Sequence, residues 1–300
     1  MLLRDLAGKG STVEQPVKTP VVVGIDGSKH AIRAAIWAVD EAVSRDTPLL
    51  LMAVIDRRSH HRDREYERAQ AALHRAWKAA EETGQPVKLE SNVVEGDPVT
   101  ELIEVSRTAE MVCVGARGTG DSVHHDPGSV AVALAQGAFA PVAIVQRRHT
   151  RKRSGAGQWV VAALETATGS HAVLDTAFVE AVLRKAPVLA LTPWSATGIP
   201  KAVLHESIRD KLDQYLAEAD DDVEIQMSTL PMSDHIANLI EQSADIDQLV
   251  IIGPDDPGFV TDVIDPKLRK KLRHTDCSIL ILRHRADRDA EQEEMSPNPA

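Results

Sequence analysis

Three hundred residues are more than one ordinary core needs and enough for two domains. Hydrophobic residues at 43% and charged ones at 26% are globular composition, and with aromatics at 3% the cores must rest on Val, Ile, Leu and Ala. A net charge of −11 disfavours a nucleic-acid partner, two cysteines are too few for a disulfide framework or a structural zinc site, and no run reaches the length of a membrane span.

Residues 1–19 read as a solvated tail. Its opening, Met1-Leu2-Leu3-Arg4-Asp5-Leu6, lacks the apolar stretch of a secretory signal, so a cytoplasmic chain is expected. A first strand is predicted over 20–26, followed by a helix apolar on a wide face from Ala31 to Val43. A strand over 48–55 precedes helical spacing of Tyr66, Ala69, Leu73, Ala76, Trp77 and Ala80. After a strand at 87–94, Asp97-Pro98 supplies a capping carboxylate and a first-turn proline for a helix bearing Val99, Leu102 and Ile103. Strands at 110–115 and 141–146 complete the set, with Gly128-Ser129-Val130 at the head of a helix between them.

The pattern is then written again. Val21 to Ser28 finds its counterpart in Trp159 to Thr166, Met111 to Gly115 in Leu249 to Gly253, and Ala140 to Val145 in Cys277 to Leu282. Helices carrying Val203, Leu204, Ile208, Leu212, Tyr215 and Leu216, then Ile236, Leu239 and Ile240, fill the second copy. Alternating strands and helices predict two tandem α/β domains, each a doubly wound parallel sheet of five strands with helices on both faces. The expected domains are 20–148 and 159–284, joined by a linker at 149–158 and followed by an acidic tail at 285–300. The basic run from Arg147 to Arg153 falls at that linker and reads as a solvated hinge.

Open parallel sheets bind ligands beyond the carboxyl ends of their strands, where strand order reverses. The residues to inspect are therefore Asp26-Gly27-Ser28 and Gly115-Ala116-Arg117-Gly118, the latter followed after nine residues by Gly128-Ser129-Val130. Glycines admit backbone N–H groups to phosphate oxygens, and a helix start adds free donors and a partial positive charge. The Ser129 hydroxyl suits a phosphate or a metal, and Asp26 suits a ribose hydroxyl or Mg²⁺. Neither a Walker lysine loop nor a dinucleotide fingerprint follows the first strand.

The spaced set Gly115-x2-Gly118-x9-Gly128-Ser129, with Gly24-Ile25-Asp26 on the first strand, resembles the ATP-binding signature of the universal stress proteins, and the likeness runs from about Pro20 to Leu282. The resemblance implies a tandem, actinobacterial-type member. It gives the backbone of Val54 to adenine, Asp26 and Gly115 to the ribose, and Arg117, Gly118, Gly128, Ser129 and Val130 to the phosphates, with Gly24 counted among the cofactor-binding residues. It implies ATP or a smaller adenine nucleotide such as cyclic AMP as the ligand, and a regulatory role under stress, hypoxia or dormancy without strong catalytic activity. It also implies that Val142 to Val145 meets Ile279 to Leu282 edge to edge, with room for a further homodimer and an unidentified protein partner.

Within the signature this chain reads Asp121-Ser122-Val123-His124-His125-Asp126-Pro127. Two carboxylates beside a triphosphate call for an intervening divalent ion, and Pro127 removes a donor. The second copy places Glu165 at the position of Asp26, Thr166-Ala167 at Gly27-Ser28, Asp256 at Gly118 and Pro266-Lys267 at the final pair, so its site is expected to be degenerate. His124-His125 and His60-His61 read as solvated, Cys113 as an inert core residue, and Trp37 and Trp77 as packing. Neither Ser28 nor Ser129 has a base placed by sequence to activate it. The competing expectation is a nucleotide-free tandem scaffold for protein–protein contacts.

Overall fold

The computed structural model describes residues 18–57, 60–118, 129–146, 159–164, 170–193, 206, 210, 225–230, 247–253 and 276–283. Their order is β1 (Val21–Gly24), α1 (Lys29–Ser44), β2 (Leu49–Ile55), α2 (Arg62–Glu81), β3 (Leu89–Glu95), α3 (Pro98–Val105), β4 (Met111–Gly115), α4 (Ser129–Gly137) and β5 (Val142–Val145). The second half continues with β6 (Trp159–Ala163), α5 (Ser170–Arg184), β7 (Val188–Pro193), β8 (Ile225–Leu230), β9 (Asp247–Ile252) and β10 (Asp276–Ile281). The predicted linker at 149–158 and both predicted tails beyond 18–19 and 283 lie outside the described residues.

The ten strands among the described residues form one sheet in the order β3-β2-β1-β4-β5-β10-β9-β6-β7-β8. Each half contributes five strands in the same relative order, and every neighbouring pair is parallel except β5 and β10. There the two halves meet antiparallel, with Ile144 opposite Ile279, Ala143 opposite Leu280 and Val142 opposite Ile281. The expected edge-to-edge pairing is thus present, and it satisfies two rows of backbone groups that would otherwise be exposed edges.

Alternation along the strands sorts side chains between two cores. Val21, Val23, Leu49, Leu51 and Cys113 point to the face covered by α1, α2 and α5, in a core that runs without interruption into the second half. Val22, Met52, Val112 and Val114 point to the face covered by α3 and α4. Each such Val, Leu or Ile contributes about 1.5–3 kcal/mol by leaving water. Strand β3 departs from the expectation of strands buried on both sides: Ser91 and Asn92 are exposed, because β3 lies at an edge of the sheet.

Helix α1 starts where Ser28, in extended conformation, accepts a hydrogen bond from the N–H of Ala31 at 3.0 Å. It ends at a left-handed residue, Asp46 (φ 50), where the N–H of Thr47 donates to the Ala42 carbonyl at 2.9 Å. Helix α5 ends the same way, at Lys185 (φ 49), with Ala186 donating to Ala181 at 2.9 Å. Asp97 caps α3 through the N–H of Thr100 at 3.0 Å, with Pro98 in the first turn as predicted.

Between α1 and α5 the halves share a buried set of charges. Glu41 and Glu180 are fully enclosed, Arg184 is 6% exposed and Arg45 21%. Arg45 pairs with Glu41 and, at 3.4 Å, with Glu180; Arg184 pairs with Glu180 and with Glu41. Each helix supplies a Glu and, four residues on, an Arg, so the set is nearly symmetric about the β5–β10 seam. The Arg184 guanidinium also lies 4.8 Å from the centre of the Trp37 ring.

Candidate functional site

Strand order turns back between β1 and β4, so the carboxyl ends of these strands open the crevice that parallel sheets use for ligands. The chain beyond β1 makes a tight turn there. The N–H of Ser28 donates to the Asp26 carboxylate at 2.9 Å, and Gly27 takes φ +86, a conformation that glycine adopts without strain. The Ser28 hydroxyl donates to the carbonyl of Arg117 at 3.2 Å while accepting from Ala31. One side chain therefore caps α1 and ties the two predicted ligand loops together. With its hydroxyl engaged on both sides, Ser28 is placed as a brace and not as a nucleophile.

Gly118 lies directly against Asp26: a Cβ there would stand 2.9 Å from Asp26 Oδ2 and, among the described residues, meet nothing else within 4 Å. The missing side chain leaves room beside an exposed carboxylate at the end of β1. That is the opening a ribose or a metal-bound phosphate needs. Gly115 serves another purpose. A Cβ at that position would come within 2.5 Å of the His30 carbonyl carbon, so glycine lets the first turn of α1 pack on the end of β4. Gly24 is likewise accounted for by packing, since a Cβ would lie 3.1 Å from Leu102 and 3.3 Å from Val114.

Val54 sits near the end of β2. The Met52 carbonyl accepts from the N–H of Ile25 at 2.8 Å, and the Ile55 carbonyl accepts on the opposite side from Gly96 at 2.9 Å. Because backbone groups alternate sides along a strand, the N–H and C=O of Val54 point to the β1 side, where β1 has already ended at Gly24. A backbone donor and acceptor side by side is what the edge of adenine can be read with.

Ser129 and Val130 open α4, Ser129 exposed and Val130 partly buried. Gly128, the loop Asp121 to Pro127 with its two histidines, and the second-copy positions Glu165, Thr166, Ala167, Asp256, Pro266 and Lys267 lie outside the described residues. Gly253 follows β9 and is buried.

Two features were invisible to motif reading. Arg75 of α2 hangs over the first loop, its Nη2 3.2 Å from where a Cβ on Gly27 would be. Arg283, just beyond β10, reaches α4 of the other half, donating from Nη2 to the Leu134 carbonyl at 3.1 Å and to that of Ala135. Cys113 is fully buried, and burial pushes its thiol well above the ordinary range, which removes it as a nucleophile. Among the described residues no cluster of three His, Cys, Asp or Glu is placed to hold a metal ion, and no helix is long and apolar enough to cross a membrane.

The sequence model of the universal stress protein family matches residues 19–146. Universal stress protein Rv2624c of Mycobacterium tuberculosis is 34% identical over 286 residues, spanning 93% of this chain and 100% of that protein. Universal stress protein Rv3134c of the same organism is 45% identical over 179 residues, covering 59% of this chain and 65% of its own. In three dimensions, a universal stress protein from Archaeoglobus fulgidus aligns over 89% of this chain and 97% of its own with a TM-score of 0.66, at 16% identity, a likeness of fold. A sequence match that runs through both halves, on a sheet of matching fold, places the chain: it belongs to the universal stress protein family.

Proposed function

We propose that the first half binds an adenine nucleotide, ATP with Mg²⁺ foremost, beyond the ends of β1 and β4. Occupancy then adjusts the conformation or assembly of a cytoplasmic protein of the bacterial stress or dormancy response. The observation that carries this is the bare Gly118 against the exposed Asp26 carboxylate, with Ser28 holding the two loops at that spacing. Asp26 would take the ribose or the metal, Val54 the adenine edge, and Arg117, Gly118, Gly128, Ser129 and Val130 the phosphates, with Gly24 and Gly115 shaping the floor. Mg²⁺ would be held at Asp26 and would supply positive charge to offset the carboxylates Asp121 and Asp126, which lie outside the described residues.

The halves are taken as 20–148 and 159–284, with binding confined to the first, because the second carries a carboxylate and a proline at positions where phosphate donors are wanted. The role is binding and not turnover: Ser28 is engaged as a brace, and no base is placed by sequence to activate Ser129. A second reading, a nucleotide-free scaffold for protein contacts, draws on Gly24 and Gly115, both of which packing alone explains.

Calorimetric titration of the full chain with ATP, with and without Mg²⁺, separates them. Saturation at one site per chain, at least about tenfold tighter with Mg²⁺, is expected. No heat of binding under either condition, together with no nucleotide in the denatured purified protein, would leave the scaffold. Equal affinities with and without Mg²⁺ would remove the metal from the proposal.

A further inference from the structure

Two helices open onto the candidate site, α1 at Ser28 and α4 at Ser129, and the far end of each is gripped by an arginine of the second half. Arg184 of α5 pairs with Glu41 in the last turns of α1. Arg283, beyond β10, donates to the carbonyls of Leu134 and Ala135 in the last turn of α4. The last four carbonyls of a helix have no partner within it, and they carry its partial negative charge. The Leu134 carbonyl already accepts from the N–H of Ala138 at 3.0 Å, so the guanidinium adds a second donor there, supplies one to Ala135, and complements the dipole whose positive end lies at Ser129. Helix α4 has nine residues, so its ends are only about 13 Å apart. Arg283 is partly buried, and its burial pulls its pKa downward; its guanidinium meets the carbonyls of α4 there.

We infer that Arg283 is a positioning residue for the first-half site: donated by the second half, it fixes α4 and strengthens the positive end that faces the phosphates, so that nucleotide occupancy and the docking of β10 are coupled. This rests on the proposed placing of phosphates at Ser129 and Val130. Coupling of this kind is reciprocal, so bound nucleotide must tighten the hold of α4 on the end of β10. It gives the second half a part in binding although its own site is degenerate.

The test uses the full chain, with Arg283→Met and Arg283→Lys as variants and Mg-ATP and adenosine as ligands. Arg283→Met is expected to weaken Mg-ATP by about two- to tenfold and adenosine by less than about twofold, while Arg283→Lys recovers most of the loss. Hydrogen exchange supplies a reading that a merely structural cap would not move. Mg-ATP should slow exchange at residues 276–283 in the wild type and in Arg283→Lys but not in Arg283→Met. If the wild type binds Mg-ATP while exchange at 276–283 is unchanged and Arg283→Met keeps the wild-type ratio of Mg-ATP to adenosine affinity, the inference is overturned and the nucleotide site stands. If the wild type binds no nucleotide, the site reading falls and this inference with it. Should Arg283→Met fail to fold, the exchange response of the wild type decides the matter alone.

Discussion

The seam between the halves and the open ends of β1 and β4 are both polar places in an aliphatic molecule, but they are finished in opposite ways. At the seam, Glu41, Arg45, Glu180 and Arg184 are enclosed and meet one another, each carboxylate touched by both guanidinium groups. At the strand ends, Asp26 is exposed and the position facing it is a glycine whose absent Cβ would, among the described residues, meet only the Asp26 carboxylate. A charge set that closes on itself has done its chemistry when the chain folds. The exposed carboxylate beside a bare backbone is where the nucleotide is proposed to bind.

Breaking the closed set should cost the most. Arg184→Met leaves two buried carboxylates facing a single guanidinium, and a loss of about 3–5 kcal/mol is expected in urea unfolding. Adding Glu180→Gln should recover part of it, since the cycle then removes a carboxylate left with Arg45 alone. At the open site the expectation is reversed, with binding hit and folding spared. Gly118→Ala should displace the Asp26 carboxylate and weaken Mg-ATP by about tenfold in calorimetry, with the midpoint of unfolding nearly unchanged. Gly115→Ala, which collides with the backbone of His30, should instead cost stability.

The smallest effect sharpens the seam itself. Burial, then the neighbouring Glu41 carboxylate, pushes Glu180 up to about 7 against the opposing pull of Arg184 and Arg45, with the neutral Cys113 thiol also close by. An acid raised on folding binds its proton more tightly in the folded chain than in the unfolded one. Its contribution is therefore complete below the ordinary value of 4.5 and drains away as pH rises to about 7. The melting temperature should fall by a few degrees across that range, and Glu180→Gln should flatten the slope. An unaltered slope in that variant would assign the titration to another group.

Much of the architecture could be read from the chain because parallel strands buried on both faces spell themselves as Val/Ile/Leu runs. Met111–Gly115 and Val142–Val145 came within a residue of their predicted spans, and Asp97-Pro98 marked the start of α3. Strand β3 was legible as a strand but not as an edge, since Leu89, Val93 and Val94 look alike in either place. The charge set was missed because a Glu and an Arg four apart on a helix normally decorate its wet side. Its signal was present: Glu41 falls on the same stripe as Ala34, Ala38 and Ala42, and Glu180 on that of Val173 and Ala177. At the site, the glycines were found by spacing, but only coordinates separate Gly118, which leaves room, from Gly115 and Gly24, which let elements close in. Arg283 gave no sign at all, since the groups it meets are backbone carbonyls and have no letter in the sequence.

The antiparallel contact of β5 with β10 joins strands carried by a single polypeptide. Its formation is unimolecular, at an effective concentration fixed by the intervening chain and not by how much protein a cell holds. A pairing between separate molecules comes apart on dilution, whereas this one persists at a few copies per cell. The β5–β10 pairing is therefore independent of how much of the protein is present.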